Sequence, residues 1–450
     1  MNNIGRFTYF LISNLGRQKV KLKQCIKCKV NPPIIQIRHT LYCHECFLFA
    51  TTGKFLRFFQ QNFSLNDDYP AFYIGVSGGP SSRFLLHCLH SQLSPRKGKG
   101  NFVRSGIAKK LVVIHVDHSK VVPGARNVRK EIEDMVKDFP QVEIISIDLS
   151  TVWSNPSSIS AHLSGFPGQP PASIKTDNTT HLFDKSLSPS SLEYNLSFLT
   201  HHIILREARK HADGIVGKDQ KLPLFLGTNA TRVTIKLLSS MSRGRGWSLG
   251  SGEVQTESTQ YGMRVLQPLL NHSSKEIGIF NKFVIPQSSQ SIVNPTFSTF
   301  AAPKSSIDRL TEELVVTLER GFPSTVSTVA RTGNKISFAG NEKEAERLCT
   351  LCGWPARSKA NEWKDGIAIT SIQPKENRKN DQNSNENNLI PALSDILCYG
   401  CYTNLTDSRA RSETNYSLPS WTDDYIKVQK VSEDVMRSQF EDCLIDNDNE

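Results

Sequence analysis

Four Cys-x-x-Cys pairs constrain this chain more than any other feature. Cys25/Cys28, Cys43/Cys46, Cys349/Cys352 and Cys398/Cys401 use eight of its ten cysteines. Two thiols at this spacing sit on one knuckle, and two knuckles supply the corners of a tetrahedral ion site. The first two pairs are separated by 14 residues and the last two by 45. In a long chain with no secretory signal, such pairs read as metal ligands before disulfides. Each set of four is therefore expected to hold structural zinc, since four protein thiolates leave no coordination position open for water. Free or redox-active thiols and an iron–sulfur cluster are the competing readings. His44, inside the second knuckle, is read as packing nearby. Gly353 and Gly400 are expected at tight turns, because glycine readily takes positive φ.

The chain divides by composition. An extension (1–20) precedes an N-terminal ribbon (21–50), a central α/β region (51–345), a C-terminal ribbon (346–405) and a tail (406–450). A Ser/Pro-rich insertion at about 154–190 and a polar one at about 373–389 lack the apolar content to pack. Apolar residues make up 38% of the whole, below the usual share of about 45–50%. In the centre, Ala71–Val76, Leu111–Val116, Val142–Leu149 and Pro223–Gly227 are short apolar runs of strand type. Helical patterns at Arg83–His90, Val128–Phe139 and Leu196–His211 separate them. The alternation predicts a doubly wound parallel sheet with helices on both faces.

The first strand runs into Ser77-Gly78-Gly79-Pro80-Ser81-Ser82. Adjacent glycines let backbone N–H groups approach a phosphate, and a helix N-terminus behind them adds partial positive charge. The segment lacks the longer loop and terminal Lys of a Walker-type motif. Asp117 closes the next strand.

With its preceding strand, this turn resembles the SGGxDS loop of the PP-loop ATPases, which cut ATP between its α- and β-phosphates to adenylate a substrate. The chain as a whole resembles the cytoplasmic tRNA 2-thiolation protein 2 family over about residues 22–445. The ordered motifs are Cys25 to Cys46, Ser77 to Ser82, Ile114-His115-Val116-Asp117, Leu226-Gly227-Thr228-Asn229-Ala230, Phe322-Pro323-Ser324-Thr325-Val326, Leu397-Cys398-Tyr399-Gly400-Cys401 and Met436-Arg437. The resemblance implies an adenine-nucleotide hydrolase type of fold with a zinc ribbon at either end. It also implies a cytosolic heterodimer with a catalytic PP-loop subunit, sulfur from a thiocarboxylated ubiquitin-like carrier, and 2-thiouridine at the wobble position (U34) of the tRNAs for Lys, Glu and Gln.

The chain departs from an active PP-loop enzyme where acids would stand. Ser81 replaces the Asp of SGGxDS, and Thr231 and Arg232 replace the two acids of Gly-His-Asn-Ala-Asp-Asp. Magnesium needs hard oxygen ligands of that kind, so ATP and magnesium turnover is not expected of this subunit. Ser77, Gly78, Gly79, Ser81, Ser82 and Asp117 are then a vestigial nucleotide loop. No catalytic residue is assigned, and Cys88 is read as core.

The net charge of +11 suits a polyanion, with Lys and Arg found along the whole chain. Arg243, Arg245 and Trp247, with the acid-free stretch Pro95–Lys110, are the candidate RNA contacts, because guanidinium pairs with phosphate and indole stacks on an unpaired base. No run is long enough to span a membrane. Two other roles are weighed against the non-catalytic subunit: an active thiolase in its own right, and a zinc-ribbon adaptor that binds protein only.

Overall fold

The computed structural model describes residues 24–64, 67–93, 96–97, 103–104, 107–137, 139–153, 183, 187–216, 221–285, 292–299, 302, 304–336, 347–356, 360, 393–405 and 422. The expected extension (1–20) and polar insertion (373–389) lie outside them. So do the Ser/Pro-rich insertion, apart from 183 and 187–190, and the tail, apart from Thr422. The chain forms two compact units, Met1–Arg57 and Phe58–Glu450.

In the first unit, β1 (Ile35–Ile37) and β2 (Thr40–Tyr42) form an antiparallel hairpin. The helix α1 (His44–Asn62) starts inside the second Cys-x-x-Cys knuckle and carries Glu45 in its first turn, where a carboxylate complements the helix dipole. Its residues 44–57 belong to this unit. Cys25, Ile35, Ile37, Cys43, Phe47 and Phe55 are buried.

The second unit is built on a six-stranded sheet. Its strands are β3 (Phe72–Gly75), β4 (Leu111–Asp117), β5 (Val142–Asp148), β6 (Pro223–Leu226), β7 (Glu257–Gln260) and β8 (Met263–Leu266). Their order is β5-β4-β3-β6-β8-β7, parallel except for the edge strand β7. All seven residues of β4 are buried, as expected of a strand covered on both faces. The doubly wound sheet expected from the alternation is present. The β7–β8 hairpin was not legible in sequence. Tyr261 (φ 49) and Gly262 (φ 70) form its turn, and primed hairpin turns need such angles, but Tyr-Gly lacks the familiar Asn-Gly signature.

The helix α2 (Pro80–Leu93) follows the glycine turn and α3 (Arg129–Val136) follows β4. The next helix, α4 (Pro189–Asp213), begins seven residues before the apolar periodicity does, inside the stretch expected to be insertion. Ser188 caps it by accepting a hydrogen bond from Ser191 N–H, and Pro189 occupies the first turn, a strong start signal hidden in Ser/Pro-rich sequence. Its carboxyl half packs Leu205, Ala208 and Ala212 on Tyr73, Val112, Ile114, Leu224 and Val265 of the sheet. Behind the sheet, Phe72 and Phe225 meet Phe63 at ring separations of 5.3 and 5.8 Å. The helices α5 (Ala230–Ser242), α6 (Ser274–Val284), α7 (Ile307–Gly321) and α8 (Pro323–Gly333) complete the unit.

The C-terminal cysteines are not on a detached ribbon. They stand on β9 (Arg347–Leu348), β10 (Pro355–Ala356), α9 (Leu393–Ile396) and α10 (Tyr399–Leu405) and the turns between. Leu351, Trp354, Ile396, Leu397 and Leu405 share one core with Leu196, Leu199 and Ile203 of α4 and Val116 of β4. No described helix is long and apolar enough to cross a membrane.

Candidate functional site

Strand order reverses between β3 and β6, and in open α/β sheets the crevice beyond the carboxyl ends of strands at that point is where ligands bind. A cleft of about 1530 Å³ lies there, lined by Ser77, Gly79, Ser81, Ser82, Gly227 and Thr228 among others. Gly78 takes φ +78, an angle at which glycine alone is relaxed. Ile292 N–H donates to Gly78 O at 3.1 Å. Asn294 Nδ2 donates to Arg126 O at 3.0 Å and Ser298 N–H to Glu193 Oε2 at 3.1 Å. Residues 292–299 thus cross from the glycine turn to α4. No periodic pattern announces such a segment.

The hydroxyls expected to greet phosphate are used internally. Ser77 Oγ accepts from Gly79 N–H at 3.4 Å and Ser82 Oγ donates to Gly79 O at 3.0 Å. Ser81 Oγ accepts from Asn229 Nδ2 at 2.9 Å, and the same amide reaches Ser274 Oγ at 3.1 Å. Asn229 Oδ1 caps α5 by accepting from Arg232 N–H at 2.9 Å. Thr231 Oγ1 donates to Glu319 Oε2 at 3.0 Å and accepts from Ser274 N–H at 3.3 Å. Arg232 Nη1 lies 3.6 Å from Glu312. Ser81, Thr231 and Arg232 are thus brought to one corner and tied into a network of hydroxyls, amides and the edge carboxylates Glu312 and Glu319. Ser274 and Glu319, which complete it, carry no sequence signal of their own.

Asp117 is buried and fully engaged, accepting from Ser119 N–H (2.9 Å), Ser119 Oγ (3.0 Å) and Asn127 Nδ2 (2.6 Å). Two histidines of the cleft are held neutral. Burial pushes His118 down to about 4, helped by His115 and opposed by Asp117. Burial, with Lys236 nearby, takes His201 to about 4 as well. His118 Nε2 is 2.9 Å from Thr200 Oγ1, whose own proton goes to Leu196 O, so the ring donates. Cys88 is buried in α2, and its burial raises the thiol pKa.

Both cysteine sets converge. In each, four Sγ atoms lie within 4.8 Å of one another. Cys28 and Cys43 Sγ are 3.9 Å apart, as are Cys352 and Cys398 Sγ. A tetrahedral ion with metal–sulfur bonds of about 2.3 Å sets sulfurs about 3.8 Å apart, so the residues fit one four-coordinate ion at each centre. A cluster in which every thiolate binds its own iron would hold the sulfurs further apart. Amide donors favour thiolates here: Asn31 N–H reaches Cys28 Sγ and Cys401 N–H reaches Cys398 Sγ, each at 3.5 Å. Gly353 takes φ +69, as a knuckle turn requires. Gly400 does not take positive φ. It is helical, and a Cβ there would stand 2.4 Å from Arg245 Cγ.

Arg245 is a correction to the sequence reading. It is 3% exposed, lies 4.5 Å over the Tyr194 ring and has Nη2 at 3.9 Å from Cys352 Sγ. Burial works to lower its pKa, but Glu253 and the thiolates of Cys352, Cys398 and Cys401 more than offset this and raise it. Arg243 also turns inward, donating to Ser190 O at 3.1 Å and pairing with Asp308. Neither guanidinium is presented to RNA as expected, because each already compensates an internal anion or carbonyl. Trp247 stands in the 3-10 turn Gly246–Ser251, and its side chain lies outside the described residues. Of the basic stretch Pro95–Lys110, Lys109 pairs with Asp68 at 3.3 Å and Lys110 with Glu143 at 2.7 Å.

A glycine turn at the switch point of this sheet, with a four-cysteine centre in each unit, makes this a doubly wound α/β protein with two candidate metal centres. Residues 306–403 match the family model described as cytoplasmic tRNA 2-thiolation protein 2. The human protein of that name is 26% identical over 367 residues, covering 70% of this chain and 67% of its own length. The Phaeosphaeria nodorum protein is 24% identical over 388 residues, covering 84% and 93%. A Xenopus laevis relative, protein 2-B, reaches 33% over 196 residues, covering 42% and 36%. The chain is thus similar to the cytoplasmic tRNA 2-thiolation protein 2 family, through the family model at residues 306–403 and through these relatives. Among solved structures, U34-tRNA thiolase NcsA from Methanococcus maripaludis with its [4Fe-4S] cluster aligns at TM-score 0.48 and 14% identity, over 79% of this chain and 99% of that one.

Proposed function

We propose that this chain works in tRNA 2-thiolation as the non-catalytic subunit of a cytoplasmic complex. A PP-loop partner adenylates the wobble uridine of the tRNAs for Lys, Glu and Gln, a thiocarboxylated ubiquitin-like carrier delivers sulfur, and this chain supplies shape and helps position the tRNA. The observation that carries the reading is the network joining Ser81, Asn229, Ser274 and Thr231. Its donors are hydroxyls and amides, and Glu319, the carboxylate at its edge, already accepts from Thr231. Such a set does not fit magnesium, which needs several oxygen ligands in near-octahedral array, so this chain does not turn over ATP. Zinc is the ion assigned to the two four-cysteine centres. It crosslinks the chain there, with all four positions taken by protein.

The test is thiolation of unmodified tRNA by the chain alone, by the catalytic partner alone and by the two together, following both pyrophosphate and 2-thiouridine. The pair should make 2-thiouridine, and the lone chain should release no pyrophosphate above a no-enzyme control. A lone chain that thiolates tRNA would end the non-catalytic reading.

A further inference from the structure

Basic residues occur along the whole chain, but the net charge does not. Residues 1–57 carry ten Lys and Arg against a single acid, Glu45, and so hold nine of the eleven net positive charges. The far larger second unit is close to neutral. In the described part of the first unit, Lys27, Lys29 and Arg38 are exposed, and among the described residues none of them joins an ion pair.

Two of these cations sit where the backbone disfavours them. Lys29 has φ 56 and Arg38 has φ 55, in the left-handed region where a glycine would be relaxed and a long side chain is strained. The same unit exposes large apolar groups: Ile26 at 59%, Val30 at 77%, Ile34 at 64% and Phe49 at 68%. Lys27 Nζ stands 3.9 Å from the centre of the Phe49 ring. An exposed flat ring with an ammonium next to it is the arrangement that stacks an unpaired base while holding a phosphate. A purely apolar surface would suit a protein partner, but charge so one-sided suits a polyanion.

We propose that the first unit is the RNA-docking module of this protein. Lys27, Lys29 and Arg38 take phosphates, and Phe49 stacks on a base unpaired in a loop. That the RNA is tRNA rests on the function proposed above, whereas the surface itself does not.

The test measures binding of the full-length chain to a labelled RNA stem-loop and to the same stem closed as a blunt duplex, across a salt series. Lys27→Ala, Lys29→Gly and Arg38→Gly are combined, glycine being used where φ is positive so that the backbone is relaxed and not strained. This variant should lose about tenfold or more in affinity for both RNAs near 0.1 M salt, and its slope of log affinity against log salt should fall by about 2 to 3. Phe49→Ala should lose about fivefold or more on the stem-loop only, with the slope unchanged. Full metal content in each variant shows that the unit is folded. Lys109→Ala, in the second unit, should bind as the parent does.

An unchanged affinity and slope in the triple variant would overturn the proposal. So would variants that bind RNA normally but no longer co-purify with the catalytic partner, which would make this a protein-binding surface. If the variants lose RNA while the parent complex makes no 2-thiouridine, the docking surface stands and the proposed function falls. If the parent complex thiolates tRNA and the variants bind it normally, the reverse holds.

Discussion

The two cysteine centres each use four thiols in two Cys-x-x-Cys pairs and live in different surroundings. At the C-terminal centre, Cys349 and Cys401 are 0% exposed and Cys352 is 9% exposed. Leu351, Trp354 and Leu397 around them belong to a core shared with α4 and β4, and a buried guanidinium balances the thiolates. At the N-terminal centre, Cys28 and Cys46 are half-buried, the supporting hairpin has three residues per strand, and Ile26, Val30 and Phe49 face solvent. The Cys-x-x-Cys spacing therefore specifies an ion site without saying whether that site is a keystone of the core or a separate module. A domain too small to bury much surface depends on its metal for folding, and that leaves its exterior available for a partner.

The largest expected effect separates the two centres by ligand removal. Cys401→Ala should release one equivalent of metal and destabilise the second unit by about 4 kcal/mol or more, since it removes a buried crosslink inside a continuous core. Cys43→Ala should also release one equivalent but leave the second unit's thermal transition where it was. Calorimetry with metal analysis checks both. Equal shifts in that transition would break the comparison.

A somewhat smaller effect is expected of Arg245→Met, which keeps volume but leaves Glu253 and the thiolates without their buried cation. Removing one partner of a buried charge pair costs about 3 to 5 kcal/mol. The variant should also surrender its C-terminal ion to a chelator faster, with the N-terminal ion released at the parental rate. Acceleration at both centres would mean that Arg245 is not specific to its neighbour.

The smallest effect per residue sharpens the contrast by pH. His118 and His201 are neutral in the fold at about 4 against an ordinary 6.5. The unfolded chain therefore binds more protons between those values. Stability is then full above about pH 6.5 and declines as pH falls toward 4, by up to about 2 to 3 kcal/mol for each ring. Both rings belong to the second unit, so the decline should appear in its transition. His118→Gln with His201→Gln should flatten it.

Much of the fold and part of the site could be read from residue order. Periodicity placed β3, β4, β5 and β6 and the helices between them, because a buried strand must be apolar and an amphipathic helix must repeat. The cysteine spacing placed both candidate ion sites, and the absence of acids at Ser81, Thr231 and Arg232 was visible without coordinates. The start of α4 was missed because its cap, Ser188-Pro189, lies in Ser/Pro-rich sequence.

Other features belong to the tertiary structure alone. Asn229 meets Ser81 across 148 positions and Thr231 meets Glu319 across 88, so this network exists only once the sheet has assembled. The direction of Arg243 and Arg245 followed the same logic: a guanidinium looks alike on paper whether it faces RNA or a buried thiolate, and only burial distinguishes the two. Residue order alone specifies which chemical groups this protein owns, because composition and spacing are local. The tertiary structure decided which of them are turned inward to neutralise one another and which remain outside for a partner, because desolvation and charge pairing depend on neighbours distant in the chain.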